Sequence, residues 1–158
     1  MKKYTQEEFD NFPVNEEGYK NCPSGDYSDI KEFGNYCRFG EWCSFGECCS
    51  FGEHCSFGVR CSFGECCSFG ECCRFGERCK IEEIYELKKL FKAEGLGSRE
   101  RMTYFFLLTD GRILVRCGCF LGFIEDFEKQ VEERYGDGKY AQEYLLCAEL
   151  AKLHFKEE

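Results

Sequence analysis

The chain has no apolar run approaching the ~20 residues that a membrane-spanning helix needs. Its first twelve residues, MKKYTQEEFDNF, carry two lysines but none of the apolar stretch that opens an export signal. A cytoplasmic setting, with no membrane contact, is therefore expected. Histidine occurs only as His54 and His154, and there is no Gly-rich phosphate loop, no Ser-His-Asp order and no paired-carboxylate motif. Those gaps argue against an enzyme. Positive charge is also short: 21 Lys and Arg against 30 Asp and Glu give a net charge of −9. Phosphate contacts need clustered Lys and Arg, so direct nucleic-acid binding is not expected.

What the chain does have is repetition. Between Phe33 and Lys80 six residues recur eight times, as FGNYCR, FGEWCS, FGECCS, FGEHCS, FGVRCS, FGECCS, FGECCR and FGERCK. A strict short period marks a solenoid, whose units bury their apolar faces only by stacking. Cys and Phe are separated by one residue, so on a strand both point inward while the Ser or Arg between them points out. Gly follows every Phe, at a corner that needs positive φ or close backbone approach. Three such sides make a coil of about 18 residues. Coils stacked ~4.8 Å apart align Phe33/Phe51/Phe69, Phe39/Phe57/Phe75 and Phe45/Phe63/Ile81, with cysteine columns 37/55/73, 43/61/79 and 49/67 beside them. That spacing tolerates disulfides. Without an export signal, however, the fifteen cysteines read as thiols, and the inward ones as small buried hydrophobes.

The repeat resembles the hexapeptide repeat of left-handed parallel β-helices, with Phe in the large position and Cys in the small one. The resemblance implies a short triangular β-helix, left-handed. The right-handed triangular helix of bactofilins shares the spacing, whereas pentapeptide-repeat helices, with a period of five, do not. Residues 1–32 are expected to cap this helix, with 21–32 (NCPSGDYSDIKE) as a degenerate coil; 33–80 form the β-helix and 81–158 a small α+β domain. In that domain Ile81, Ile84, Leu87, Leu90 and Phe91 fit one helical stripe ending at Gly95. MTYFFLLT and RILVRCGCF, joined by Asp110-Gly111, read as a hairpin with a type I′ turn. A helix with Ile124, Phe127, Val131 and Tyr135 on one face closes at Gly136. A last helix, about 139–156, carries Tyr140, Tyr144, Cys147, Ala151 and His154 on one stripe. The run from TYFFLLTDGRILVRCGCF to KYAQEYLLCAELAKLHF is similar to uncharacterised proteins of phage and gut-bacterial genomes, in which FGxxCS arrays precede a Cys-Gly-Cys-Phe hairpin. That similarity implies a phage setting and transfers no catalytic residue.

Candidate sites follow from variation on a regular scaffold. The fourth hexad position sorts by column into Tyr36/His54/Cys72, Trp42/Arg60/Arg78 and Cys48/Cys66. Tyr36, Trp42, His54, Arg60 and Arg78 are the candidate partner-binding residues, the Trp–Arg–Arg column mixing residue types enriched at protein interfaces, with solvated corners and an Arg60–Trp42 cation–π pair as the plainer reading. Cys117, Cys119, Cys147 and His154 form a candidate zinc set, Cys117 and Cys119 sharing a strand face and Cys147 and His154 a helix face; core packing is the simpler alternative. The expected function is a non-catalytic, phage-associated interaction protein whose rigid β-helix binds a host factor, or its own copies as a homo-oligomer, and inhibits the partner. No cofactor is required for that role. The alternative is a small-molecule or zinc binder at the cap cysteines. A third reading, an acidic DNA mimic, draws on Glu47/Glu65 and Glu53/Glu71, but five bases nearly cancel the charge of the block.

Overall fold

The Cys-X-Phe alternation folds as three ladders of very short parallel strands, seen in a computed structural model that describes residues 1–157. The chain forms two compact units, one ending at Leu87 and one beginning at Lys88. The first is a β-solenoid of about 3 turns with about 18 residues per turn. Cys37–Phe39 stacks on Ser56–Phe57 and then Arg74–Phe75; Ser44–Phe45 on Ser62–Phe63 and then Lys80–Ile81; Glu32–Gly34 on Ser50–Phe51 and then Ser68–Phe69. The register Arg38↔Ser56↔Arg74 is the 18-residue step of the repeat. Upstream of the repeat, Lys20–Cys22 pairs in parallel with Cys37–Phe39, and Asp26 bridges Ser44.

The interior is an aromatic lattice. Along each column the rings stack, as for Phe33–Phe51 at 4.6 Å and Phe45–Phe63 at 4.9 Å. Within a coil they meet edge to face, as for Phe57–Phe63 at 4.8 Å. Both arrangements suit the ring quadrupole and add about 0.5–1.5 kcal/mol per pair beyond area burial. The columns continue into the N-terminal segment, where Tyr27 stacks on Phe45 and Tyr4 on Tyr27. The short helix Gln6–Asp10 opens with a Thr5–Glu8 capping box and sets Phe9 edge-on to Phe33 at 5.2 Å.

Two details differ from the sequence expectation. Positive φ falls on the fourth residue of every hexad, Tyr36 through Arg78, at 56–62°, and among the repeat glycines only on Gly34. The other repeat glycines answer to close approach: a Cβ on Gly58 would lie 2.7 Å from the Gly40 carbonyl carbon, and one on Gly64 2.7 Å from Glu47 N. The buried cysteines are also more than small hydrophobes. The thiols of Cys55, Cys61, Cys67, Cys73 and Cys79 each donate to the glycine carbonyl 21 residues earlier, at 3.3–3.4 Å. Some of these carbonyls take a second donor as well, Gly34 O from Gly52 N and Gly40 O from the Cys43 thiol, so the thiols add to the bonding between coils. Thiol–thiol bonding along the columns, to Cys37 and to Cys43 respectively, holds Cys55 up at about 11 and Cys61 at about 12, so both stay protonated donors at neutral pH.

The helix expected from Ile81 is a strand, Tyr85–Leu96. Glu82 and Glu83 take positive φ and turn the chain back, so that Tyr85 and Glu86 pair antiparallel with Ile81 and Lys80. The last coil presents unpaired backbone groups that a returning strand satisfies and a helix cannot. The Glu82 carboxylate, itself buried, accepts from Cys66 N at 3.3 Å.

In the second unit the strands run in the order Phe120–Phe123, Ile113–Cys117, Arg101–Leu108 and then the strand Tyr85–Leu96, which enters this unit at Lys88. The first hairpin is not type I′. Leu107 pairs Ile113, Gly111 N donates to Leu108 O at 3.0 Å, and Gly111 alone has positive φ, giving a three-residue loop. The Asp110 carboxylate selects it by accepting from Arg112 N and Nε at 3.0 and 2.7 Å. The helices Ile124–Tyr135 and Lys139–Phe155 pack Phe127, Val131, Ala141, Tyr144, Ala148, Ala151 and Phe155 on Phe105, Leu107 and Val115. On the last helix Tyr144, Cys147 and Ala151 of the expected stripe are buried, whereas its two ends are not: Tyr140 and His154 are exposed, and Ala141 and Phe155 take the buried places beside them.

Candidate functional site: an arginine-lined cleft

The hairpin Ile113–Cys117/Phe120–Phe123 turns through Gly118-Cys119, with Cys117 opposite Phe120 and positive φ on Gly118, as a type II′ turn requires. Gly118 has a second reason to lack a side chain, because a Cβ there would run into the Arg101 guanidinium. The turn and Arg101 therefore define one wall of a cleft of about 600 Å³. Its floor is Phe120, Phe127 and Val131, and Tyr135 and Tyr144 contribute phenol rings. Arg99, Arg101 and Arg134 complete the lining.

Local geometry holds these groups in place. The Tyr144 hydroxyl donates to Leu96 O at 3.3 Å, and the Glu143 carboxylate accepts from Gly97 N at 3.1 Å, so the loop that carries Arg99 is tied to the last helix. Gly97 sits at φ +77°, where a Cβ would meet the Tyr144 ring. Burial, followed by the neighbouring Cys117 thiol, pushes the Tyr144 phenol up to about 12; it is a neutral donor under physiological conditions. Burial likewise raises Cys147.

Charge singles the cleft out. From Lys88 onward the chain carries thirteen acids against twelve bases, yet among the described residues the lining holds three arginines and no carboxylate. Guanidinium groups pair bidentately with carboxylate and phosphate. An aromatic floor beneath three of them suits a small molecule with an apolar body and an anionic head. The cleft volume lies in the ordinary range for such sites.

The candidate zinc set does not converge. Cys117 is buried beside Thr103, whose hydroxyl lies 3.3 Å from its sulfur, and Cys147 belongs to the same core. Cys119 stands exposed on the turn rather than on the strand face, because the tight hairpin takes it out of the alternation. His154 packs its ring on Phe91 at 5.0 Å. Among the described residues no group of three or more His, Cys, Asp or Glu is placed to hold a metal.

On the solenoid the corner residues do meet one coil apart. The Arg60 guanidinium lies 4.9 Å over Trp42, and the Tyr36 and His54 rings stack at 5.4 Å, while Arg78 is exposed on the next coil. Sequence reasoning missed Arg99, Arg101 and Arg134. The polar loop GLGSRER was the one available signal for the first two, and nothing in the spacing brings Arg134 to them. Compared with protein families, curated proteins and solved structures, the chain matches none.

Proposed function

We propose that the second unit is a non-catalytic binding module for a small organic anion, a carboxylate or phosphate ester on an apolar body. The observation that carries this reading is the cleft of three arginines and no acid over an aromatic floor. Binding rather than turnover is favoured because the lining, among the described residues, offers no histidine or carboxylate as a general base, and Tyr144 holds its proton. The test is titration with the fluorescent sulfonate 8-anilinonaphthalene-1-sulfonate. One site is expected, weakened by added salt and about 10–100-fold by Arg101→Glu or Arg134→Glu, since a charge-assisted hydrogen bond contributes about 1.5–3 kcal/mol. Affinity unchanged by both charge reversals would overturn the proposal.

A second reading, a protein partner on the Trp42–Arg60–Arg78 corner, is supported by the 55% exposure of Trp42 beneath its arginine partner. The occupant that fits this chemistry is an acidic peptide segment with aromatic side chains. Trp42 is the sole tryptophan, so its emission reports on the corner directly. A glutamate–tyrosine copolymer is expected to shift that emission in the native protein and not in Arg60→Glu. An unresponsive Trp42 would remove the corner from consideration.

A further inference from the structure

The third corner of the solenoid carries Cys48 and Cys66, one coil apart and both exposed. Their backbones match, at φ 56° and 60°, and the neighbouring strands hold Ser50 opposite Ser68 in register. Cys48 N donates to Glu65 O at 2.8 Å, so the two corners are fastened directly to each other. At the other two corners the same φ places side chains one coil apart side by side, as Trp42–Arg60 at 4.9 Å and Tyr36–His54 at 5.4 Å show. Cys48 and Cys66 occupy the equivalent positions with matching φ, so their side chains leave the corner in the same sense.

Side chains so aligned hold their sulfurs near the coil spacing of ~4.8 Å. The Cα spacing tolerates a disulfide, but the Cβ atoms would have to close from the coil spacing to about 3.5–4.5 Å to form one. Two thiolate–metal bonds of about 2.3 Å laid end to end span ~4.6 Å, close to the spacing present. Zinc is disfavoured, because it asks for four ligands and among the described residues no group of three or more His, Cys, Asp or Glu is placed to hold a metal; the nearby Glu82 carboxylate accepts from Cys66 N at 3.3 Å. The geometry points to Cys48 and Cys66 as a two-coordinate thiolate site for a soft monovalent cation, with Cu(I) the ion that soft thiolates select. Both thiols release their protons to solvent as the metal–sulfur bonds form, and no electron is transferred. The site lies in the solenoid and is independent of the arginine-lined cleft.

The test is anaerobic titration of the reduced full chain with Cu(I) in competition with bathocuproine disulfonate, with native mass spectrometry for stoichiometry. The first equivalent is expected to bind one per chain, and X-ray absorption to show two sulfur neighbours. Cys48→Ser and Cys66→Ser should each weaken it at least 100-fold, whereas Cys72→Ser, an exposed thiol on a different corner, should not. Unchanged far-ultraviolet circular dichroism of each variant separates loss of the site from loss of the fold. A first equivalent that survives in either Cys48→Ser or Cys66→Ser, or a wild-type protein that cannot compete with the chelator, would overturn the assignment. Mass loss of two hydrogens without metal, the signature of a disulfide, would overturn it as well.

Discussion

Gly70→Ala is expected to remove the cooperative unfolding transition of the solenoid, or to lower its stability by more than ~3 kcal/mol. The added methyl would sit 2.6 Å from both Glu53 N and Gly52 O of the preceding coil, and those atoms are backbone. Neither can move aside without breaking the ladder in which Gly70 N donates to Phe51 O at 2.9 Å. Positive φ plays no part, because Gly70 does not adopt it. The cost is steric and should appear with any larger residue. Urea unfolding followed by circular dichroism, with Ser68→Ala as a neighbouring control, measures it. A loss below ~1 kcal/mol for Gly70→Ala would mean that the coils can part locally, contrary to the packing described.

Phe63→Ala is expected to cost about 3–5 kcal/mol, the range for deleting a buried aromatic ring. Phe63 is 1% exposed and lies against Phe45, Phe57 and Phe69 at ring distances of 4.9, 4.8 and 5.2 Å. Loss of the ring leaves a void bounded by other rings, which are held by their own columns and cannot collapse into it. Phe75, on the last coil and only partly buried, should cost clearly less on the same change. The comparison is a pair of urea melts. Equal losses at the two positions would refute the picture of a lattice packed most tightly at its middle.

The two substitutions also show why the solenoid was legible in advance and the cleft was not. Phe63 and Gly70 belong to a period that states its own neighbours: a residue stacks on the one 18 positions away, and each column can be read from the chain. Which atoms needed glycine was not so legible. Close approach and positive φ are alternative reasons for the same residue, and the coil geometry assigned the first to Gly70 and the second to bulky residues such as Trp42 and His54. Eight non-glycine residues held at positive φ cost roughly 1–2 kcal/mol each against an ordinary backbone, a cost that the stacked interior offsets. The strand Tyr85–Leu96 misled for a related reason, since its apolar spacing fits a helix and only the unpaired edge of the last coil makes a strand the better partner.

Arg101, Gly118 and Arg134 illustrate the remainder. Gly118 reads as a turn residue in any sequence, and the Arg101 guanidinium beside it becomes visible only when the strands are paired. Arg134, in the last turn of its helix, reads as a charge complementing the helix dipole until that helix is packed across the sheet. The sequence by itself determined the solenoid, its 18-residue coil, its aromatic columns and its inward thiols, because a short exact repeat makes every long-range contact a copy of one local rule. Tertiary structure alone decided where the chain reverses after Ile81 and that three arginines line one cleft. Those outcomes depend on pairing between segments that share no period, and no local rule carries them.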